Sequence, residues 1–352
     1  MTIAIITDNH FGARNDSVSF LDYYQKFYDD TFFPTLIENN ITTVLMLGDT
    51  FDRRKYVNFL TLRRSKEMFF DRLEELGIQV HMLAGNHDTY FKNSDVVNSV
   101  DLLLKQYSNV HVIDIPQTII VEDQPICMIP WICADNHKDC LYEIKTTPAT
   151  ICMGHFEIAG FAMYKGMSSE GLERSIFRKF INTFSGHYHH KSSADGIFYL
   201  GNPYQLTWSD YEDVRGFHLY DVQNFELTFV PNPNDMFFKV IYDDSVQDSE
   251  PYDFLKYTNR YVKVIVLHKT NPYAFDKFME HLYSYNPADV TIVEDIIDLT
   301  ETGNDDIITQ SEDTLTILNK FVDAVQEDNI DNNRLKGILH EIYVEALNSE
   351  RV

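Results

Sequence analysis

The sequence predicts an α/β protein in which a parallel, doubly wound sheet is followed by a second sheet, with helices packed around them. Three observations carry this reading. Short apolar runs alternate with longer segments of helical period, and polar residues are released only where the apolar runs end. Several of those ends carry a Gly followed at once by Asp, Asn or His. The clearest case is Val44 to Asp52, where Val-Leu-Met-Leu is closed by Gly48 and releases Asp49. In open α/β sheets ligands bind beyond the carboxyl ends of the strands, so a carboxylate placed there can hold a cation.

In chain order, Thr2 to Thr7 reads as a strand that ends in Asp8-Asn9-His10. Residues 18–39 form a helix whose aromatics Phe20, Tyr23, Tyr24, Phe27 and Tyr28 recur at helical spacing and read as packing residues. A helix over 58–76 leads through Gly77 into a strand over 78–84, which ends in Gly85-Asn86-His87-Asp88. A helix over 95–107 and short strands over 111–115, 118–122 and 126–130 follow. The strand over 149–153 runs into Gly154-His155, and that over 180–185 runs into Gly186-His187-Tyr188-His189-His190. Strands over 196–200, 216–222 and 226–230 are expected to form hairpins that complete the second sheet.

Composition narrows the function. The chain has 352 residues, 44% of them hydrophobic, enough for one large core and one or two smaller units. Its first eight residues have no basic leader, and no stretch reaches the roughly 18 apolar residues of a membrane span. A cytoplasmic protein without membrane contact is expected. Cys127, Cys133, Cys140 and Cys152 lack the close pairing of zinc or redox motifs and are read as reduced and buried. A formal net charge of -25 excludes a protein that simply coats nucleic acid, so a polyanionic substrate would need bridging cations or a local basic cluster. Residues 49–72 supply such a cluster, with seven Lys and Arg, including Arg53, Arg54, Lys55, Arg63 and Arg64, against four acids. It can steer a phosphate backbone, or it can be a solvated helix face; charge alone does not choose.

The groups emerging at strand ends are Asp8, His10, Asp49, Asn86, His87, Asp88, His155, His187 and His189. Singly, each has a plainer reading as a helix cap, a turn residue or a core histidine. Together, the mixed oxygen and imidazole set suits two divalent first-row ions, with oxygen ligands favouring manganese or magnesium. Two ions about 3.5–4 Å apart can share one carboxylate and neutralise both the attacking and leaving oxygens of a phosphoryl displacement. Asp49 is the natural bridge. His87, beside the neutral Asn86 and followed by an Asp88 able to fix its orientation, suits a non-ligand imidazole that serves the leaving group.

After residue 236 the pattern is strand (238–242), short helix, strand (261–267), a helix opened by Asn271 and Pro272, and strand (290–293). This reads as a small α+β domain. Residues 299–311 read as a polar linker. Two amphipathic helices then present Leu315, Leu318, Phe321, Val322 and Val325, and Leu335, Ile338, Leu339, Ile342, Tyr343 and Ala346, to their own domain or to a partner. Residues 289–352 hold sixteen acids and four bases, which places much of the negative charge away from the metal-binding strand ends.

In order, Asp8-Asn9-His10, Gly48-Asp49-Thr50-Phe51-Asp52, Gly85-Asn86-His87-Asp88, Gly154-His155 and Gly186-His187-Tyr188-His189 resemble the motifs of the calcineurin-like metallophosphoesterases. Within that family the chain is similar to the SbcD-type DNA repair nuclease subunits, and most to the recombination endonuclease subunits of T-even-like phages. Ile129-Pro130-Trp131, Gly154 to Phe161 and Tyr164-Lys165-Gly166-Met167 strengthen the phage comparison.

The resemblance implies a two-sheet sandwich flanked by helices over 1–235, a DNA-capping α+β domain over 236–298 and, beyond the linker, a helical partner-binding tail over 312–352. It implies one metal held by Asp8, His10, Asp49 and His189 and a second held by Asp49, Asn86, His155 and His187, with His87 catalytic and manganese the expected ion. Some relatives place a histidine at Asp52, so no role beyond hydrogen bonding is carried over to it. His190 lies outside the motif and is expected at the surface or in support of the ligands. The implied partners are DNA and the coiled coil of an SbcC-type ABC ATPase, in a heterotetramer built on a homodimer.

The implied function is a metal-dependent DNA exonuclease and endonuclease in recombination and double-strand-break repair, in the host cytoplasm if phage-encoded. One alternative is a metallophosphatase acting on phosphoproteins or nucleotides. Protein Ser/Thr phosphatases resemble Gly-Asp-x-x-Asp-Arg-Gly and Gly-Asn-His-Glu, whereas Arg54 and Asp88 stand at the last positions here. The other alternative is a non-catalytic scaffold, against which every expected ligand is present.

Overall fold

Strands β1 (Thr2–Ile6), β2 (Thr43–Met46), β3 (Gln79–Leu83) and β4 (Val110–Ile113) are parallel neighbours, each reached from the last through a helical crossover. They belong to a computed structural model that describes residues 1–164, 167–168, 171–246, 252–294, 322 and 335–339. By contact the chain divides into two compact units, 1–204 with 213–234, and 205–212 with 235–352.

The first unit holds two six-stranded sheets. After β4 come β5 (Gln117–Val121), β6 (Gln124–Ile129), β7 (Ile151–Gly154), a small hairpin of β8 (Ala162–Tyr164) and β9 (Met167–Ser168), β10 (Asn182–Ser185), β11 (Ser192–Ala194), β12 (Ile197–Tyr199), β13 (Gly216–Asp221) and β14 (Glu226–Pro231). The sheet orders are β14-β13-β1-β2-β3-β4 and β11-β12-β10-β7-β6-β5. Both are mixed sheets with parallel centres.

Alternation along the strands explains the sandwich. Ile3, Ile5, Leu45 and Leu47 from one sheet and Ile126, Met128, Ile151 and Met153 from the other share one buried cluster. The opposite face of the second sheet carries Cys127, Ile129 and Cys152, packed with Cys140 and Ile144 of the helix His137–Thr146. All four cysteines are free and buried.

Three expectations change. The strands over 216–222 and 226–230 were expected in the second sheet, but β13 pairs antiparallel with β1 and carries β14 outside it, so the hairpin completes the first. Hairpin chemistry fixes pairing within the hairpin, whereas the sheet it joins depends on which edge is open. The helix expected over 95–107 is confined to Ser99–Leu104, because the Asn98 side chain caps it by accepting from Asp101 N. Both long aromatic helices contain a π-helical turn, Tyr28–Phe32 and Lys66–Phe70, which inserts an extra residue and turns Tyr28, Phe32, Met68, Phe69 and Phe70 into the core.

The second unit contains a three-stranded sheet of β15 (Phe237–Asp243), β16 (Tyr261–His268) and β17 (Asp289–Val293), all parallel. Asn271 caps the helix Pro272–Ser284 by accepting from Ala274 N, and Pro272 sits at its first turn. Phe275, Phe278 and Leu282 on that helix pack with Val240, Tyr242, Val262 and Val264 of the sheet. Among the expected tail residues, Leu335, Ile338 and Leu339 lie on a helical segment, 335–339, with Ile338 exposed. The linker 299–311 and Leu315, Leu318, Phe321, Val325, Ile342, Tyr343 and Ala346 lie outside the described residues. Among the described residues no helix is long and apolar enough to cross a membrane.

Candidate metal centre

The carboxyl ends of β1, β2 and β3 in one sheet and of β7 and β10 in the other bring Asp8, His10, Asp49, Asn86, His155, His187 and His189 together. Asp8, His10 and His189 form one group of donor atoms; Asp49, His155 and His187 form another. In the first, His10 Nε2 and His189 Nε2 are 3.1 Å apart, and each is 3.9 Å from Asp8 Oδ1. In the second, His155 Nε2 and His187 Nδ1 both lie 2.9 Å from Asn86 Oδ1. One oxygen, Asp49 Oδ2, faces both groups, 3.7 Å from His10 Nε2 and 3.3 Å from His155 Nε2.

Strained backbone makes the convergence possible. Asp8, His10, Asp49 and His187 all take positive φ, at 54°, 45°, 50° and 80°. The turns are fastened by Asp8 N to Gly48 O and His10 N to Asp49 O, both 3.0 Å, and by His187 N to the Asp8 carboxylate at 3.1 Å. Two glycines are required by close approach. A Cβ at Gly48, where φ is +103°, would lie 2.6 Å from His155 Nδ1, and one at Gly186 would lie 2.1 Å from Thr7 Oγ1.

Further groups set the direction of each ring. His155 Nδ1 donates to Leu47 O at 2.7 Å, which turns its Nε2 lone pair inward. His187 points Nδ1 inward and Nε2 to Glu157 Oε1 at 3.3 Å, and the Trp131 ring lies 5.1 Å from it. The hydrogen bond from His187 is the main influence that holds the Glu157 carboxyl below its ordinary range. Asp52 Oδ1 is 3.2 Å from His10 Nδ1, so this carboxylate orients a donor. Sequence reading did not single out Glu157 and Trp131 for the site, although Glu157 stands two residues after His155.

The donor set fits cations. Asp8 and Asp49 are fully or nearly fully buried, and imidazole nitrogens face one another across each group. Burial alone would lower the pKa of His10, but Asp52, Asp49 and Asp8 carry it up to about 9. Burial likewise opposes His155, which Asp49 and Asp8 raise to about 9. The carboxylates around each group thus favour positive charge, which a proton supplies on the imidazole and a bound cation can replace. Burial and then His10 hold His189 well below the ordinary histidine value, as suits a neutral donor.

His87 stands beside the groups, its ring edge-on to His10 with centroids 4.9 Å apart. Its backbone N donates to Asp49 Oδ1 at 2.8 Å, and its Nδ1 donates to Asp52 O at 2.6 Å. That carbonyl, not Asp88, sets the ring. Asp88 was expected to orient His87; instead its carboxylate accepts from Thr50 N, Phe51 N and Gly85 N, tying the Asp49 turn to the Asn86 turn. A carboxylate satisfied by three main-chain donors is a brace between loops. Burial and the nearby Asp49 push its pKa up to about 6 against the pull of those donors.

The basic residues also separate. Arg53 is largely covered, bonded to Asp16 at 2.8 Å and to Asn15, where Arg14, Asn15 and Asp16 form a left-handed turn. It is a clasp on that turn. Arg63 pairs with Glu67 at 2.7 Å and Arg64 with Asp22 at 2.8 Å, while Lys55 is exposed and Arg54 half-buried. His190 points away from the donors to Asp213, which also binds Arg215 at 3.0 Å.

Comparison with known proteins places the chain in a family. The family described as calcineurin-like phosphoesterase matches residues 1–191. The chain is 32% identical over 311 residues to exonuclease subunit 1 of Enterobacteria phage T4, covering 88% of this chain and 89% of that protein. It is 22% identical to the SbcD subunit of the SbcCD nuclease of Staphylococcus saprophyticus, covering 96% of each. A solved archaeal phosphodiesterase aligns over 66% of this chain and 99% of its own at 12% identity and a TM-score of 0.33.

Proposed function

The chain belongs to the calcineurin-like phosphoesterase family, and from that premise we propose that it is a two-metal DNA nuclease, the nuclease subunit of a recombination and repair complex with a coiled-coil ABC ATPase. The observation that carries the reading is Asp49 Oδ2, one carboxylate oxygen facing two donor groups. Asp8, His10 and His189 would hold one cation with Asp49, and Asn86, His155 and His187 would hold the other. Manganese is the proposed ion, with magnesium second, since oxygen donors and imidazoles are mixed. When bound, such a pair supplies Lewis acidity and neutralises charge on the attacking and leaving oxygens.

The chain's own residues supply the rest. Leu47 O, Glu157 and Asp52 keep three imidazoles in their donor orientation. His87, fixed through Nδ1, has Nε2 as the end at which a proton is held for the leaving oxygen. Asp88 keeps the Asp49 and Asn86 turns in register, so both donor groups stay aligned with one phosphate.

DNA is the proposed substrate because the two relatives are named as an exonuclease subunit and a nuclease subunit. Lys55, Arg54, Arg63 and Arg64 are the candidate phosphate contacts. The surface pair of Arg63 with Glu67 is weak and screened by solvent, so Arg63 can exchange Glu67 for phosphate, and Arg64 can do the same with Asp22. The second unit is proposed to cap duplex DNA, and residues 312–352 to grip the ATPase. A homodimer is part of the proposal, with Phe59 at 90% exposure offering unpartnered apolar surface on the first unit.

Hydrolysis of linear duplex DNA, single-stranded DNA and p-nitrophenyl phosphate, each with manganese, magnesium or chelator, tests the reading. Manganese-dependent DNA cleavage with little monoester turnover is expected. Strong monoester turnover with intact DNA would replace it with the phosphatase.

A further inference from the structure

Two residues at either end of one excursion of the chain hold the backbone of the first donor group. The chain leaves the first unit after Tyr204, contributes 205–212 to the second, and returns at Asp213. Before leaving, Tyr204 donates its hydroxyl to the main-chain carbonyl of Asn9 at 2.5 Å. Asn9 is fully buried between Asp8 and His10, the two donors with positive φ, and its amide donates to Tyr28 Oη at 2.6 Å. The Tyr28 and Tyr204 hydroxyls are 3.4 Å apart, and the Tyr204 ring is stacked on Tyr24 at 3.8 Å. The π-helical turn that begins at Tyr28 belongs to this clamp.

After the return, Arg215 donates to the main-chain carbonyl of His189, the third donor of the same group, and to Asn202 Oδ1. It is 3% exposed, and its other terminal nitrogen pairs with Asp213 at 3.0 Å. Asn202 N also donates to His189 O, at 3.3 Å. The second donor group is held by other means: the Leu47 carbonyl on His155 and the Glu157 carboxylate on His187.

We propose that Tyr204 and Arg215 are positioning residues for the cation held by Asp8, His10 and His189, and not for the cation held by Asn86, His155 and His187. They fix the carbonyls of Asn9 and His189, and through those peptides the directions of the Asp8 carboxylate and the His10 and His189 rings. The inference rests on the two-cation reading and adds that these two side chains act on the first site, the two sites being linked through Asp49 and through the bond from His187 N to the Asp8 carboxylate.

Calorimetric titration of the metal-free, full-length chain with manganese tests it. The wild-type chain is expected to show two binding events. Tyr204→Phe should weaken one of them by tenfold or more, the scale of lost support for a ligand, and leave the other unchanged. In turnover, the manganese needed for half-maximal rate should rise while kcat at saturating manganese stays within about twofold. Tyr24→Phe, in the same ring stack, should leave both events as they are. Arg215→Lys should act in the same direction as Tyr204→Phe; should it fail to fold, the Tyr204→Phe isotherm decides alone. Equal weakening of both events with a lower melting temperature of the metal-free chain, or no change in either, overturns the proposal. A wild-type chain that takes up one manganese overturns the two-cation reading itself, and the inference with it.

Discussion

The two units bend their backbones into the left-handed region for different reasons. In the second, Asn259 and Asn286 take positive φ in turns, with Asn259 N bonded to Asn286 O at 3.0 Å. Asparagine tolerates that conformation because its short side chain can bond locally. In the first unit the same region is occupied at strand ends by Asp8, His10, Asp49 and His187, whose side chains are turned toward the donor groups. At about 1–2 kcal/mol each, such strain persists only where its surroundings over-determine it. Backbone bonds between the β1 and β2 turns and the Asp88 brace do so here. Both units carry such turns away from the donors, at Asn40, Glu122 and Phe225 in the first and Glu212 in the second, but at Asp8, His10, Asp49 and His187 the left-handed backbone brings donors together.

The sharpest way to break that comparison is at its centre. Asp49→Ala removes the oxygen common to both groups, so hydrolysis of DNA and of bis-p-nitrophenyl phosphate should fall to background and manganese binding should be lost, with far-UV circular dichroism unchanged. A variant that kept a tenth of the activity would sever the strain from the chemistry. His87→Ser comes next: kcat should fall by about 10²–10⁴-fold, the usual contribution of a positioned acid or base. Its manganese isotherm should stay as in the wild type; a lost binding event would make His87 a ligand.

A buried group away from the centre sharpens the contrast through pH. His218 on β13 is 5% exposed, and burial, reinforced by Lys191, lowers its pKa to about 3. The folded state therefore disfavours its proton, so the stabilisation is complete above the unfolded value of about 6.5 and is lost as pH falls toward 3. It amounts to about a few kcal/mol, and His218→Phe should flatten the drop in urea midpoint between pH 7 and pH 4. The smallest effect belongs to the second unit. Asn271→Ala removes a helix cap worth about 1 kcal/mol and should lower the stability of that unit without changing the manganese isotherm. A changed isotherm would mean that the packed unit and the strained one are not independent.

Much of the candidate site was legible. Asp8, His10, Asp49, Asn86, His155, His187 and His189 each follow a buried strand, so a local pattern of apolar run, glycine and polar residue was enough to place them at one edge. Asp88 was misjudged because adjacency in sequence to His87 says nothing about where a side chain points; it is turned onto the neighbouring loop, and the distant Asp52 carbonyl takes its place. Arg53 looked like part of a basic patch, but the left-handed turn at Arg14 to Asp16 draws it in. The short helix at Ser99 did leave a signal, Asn98 three residues before Asp101, which the apolar spacing masked. The π-helical turns left none that periodicity could isolate, since one added residue shifts the apolar stripe by less than ordinary scatter.

The sequence by itself determined the strands, their parallel order near the centre, and the polar groups that leave their carboxyl ends. These follow from local rules of period, burial and turn chemistry that need only neighbours in the chain. Tertiary structure decided which sheet took the last hairpin, that one oxygen of Asp49 faces two donor groups, and that Arg215 and Tyr204 reach back to His189 and Asn9. Those outcomes depend on distances between residues up to 195 positions apart in sequence, and they are set only when both sheets close on their common core.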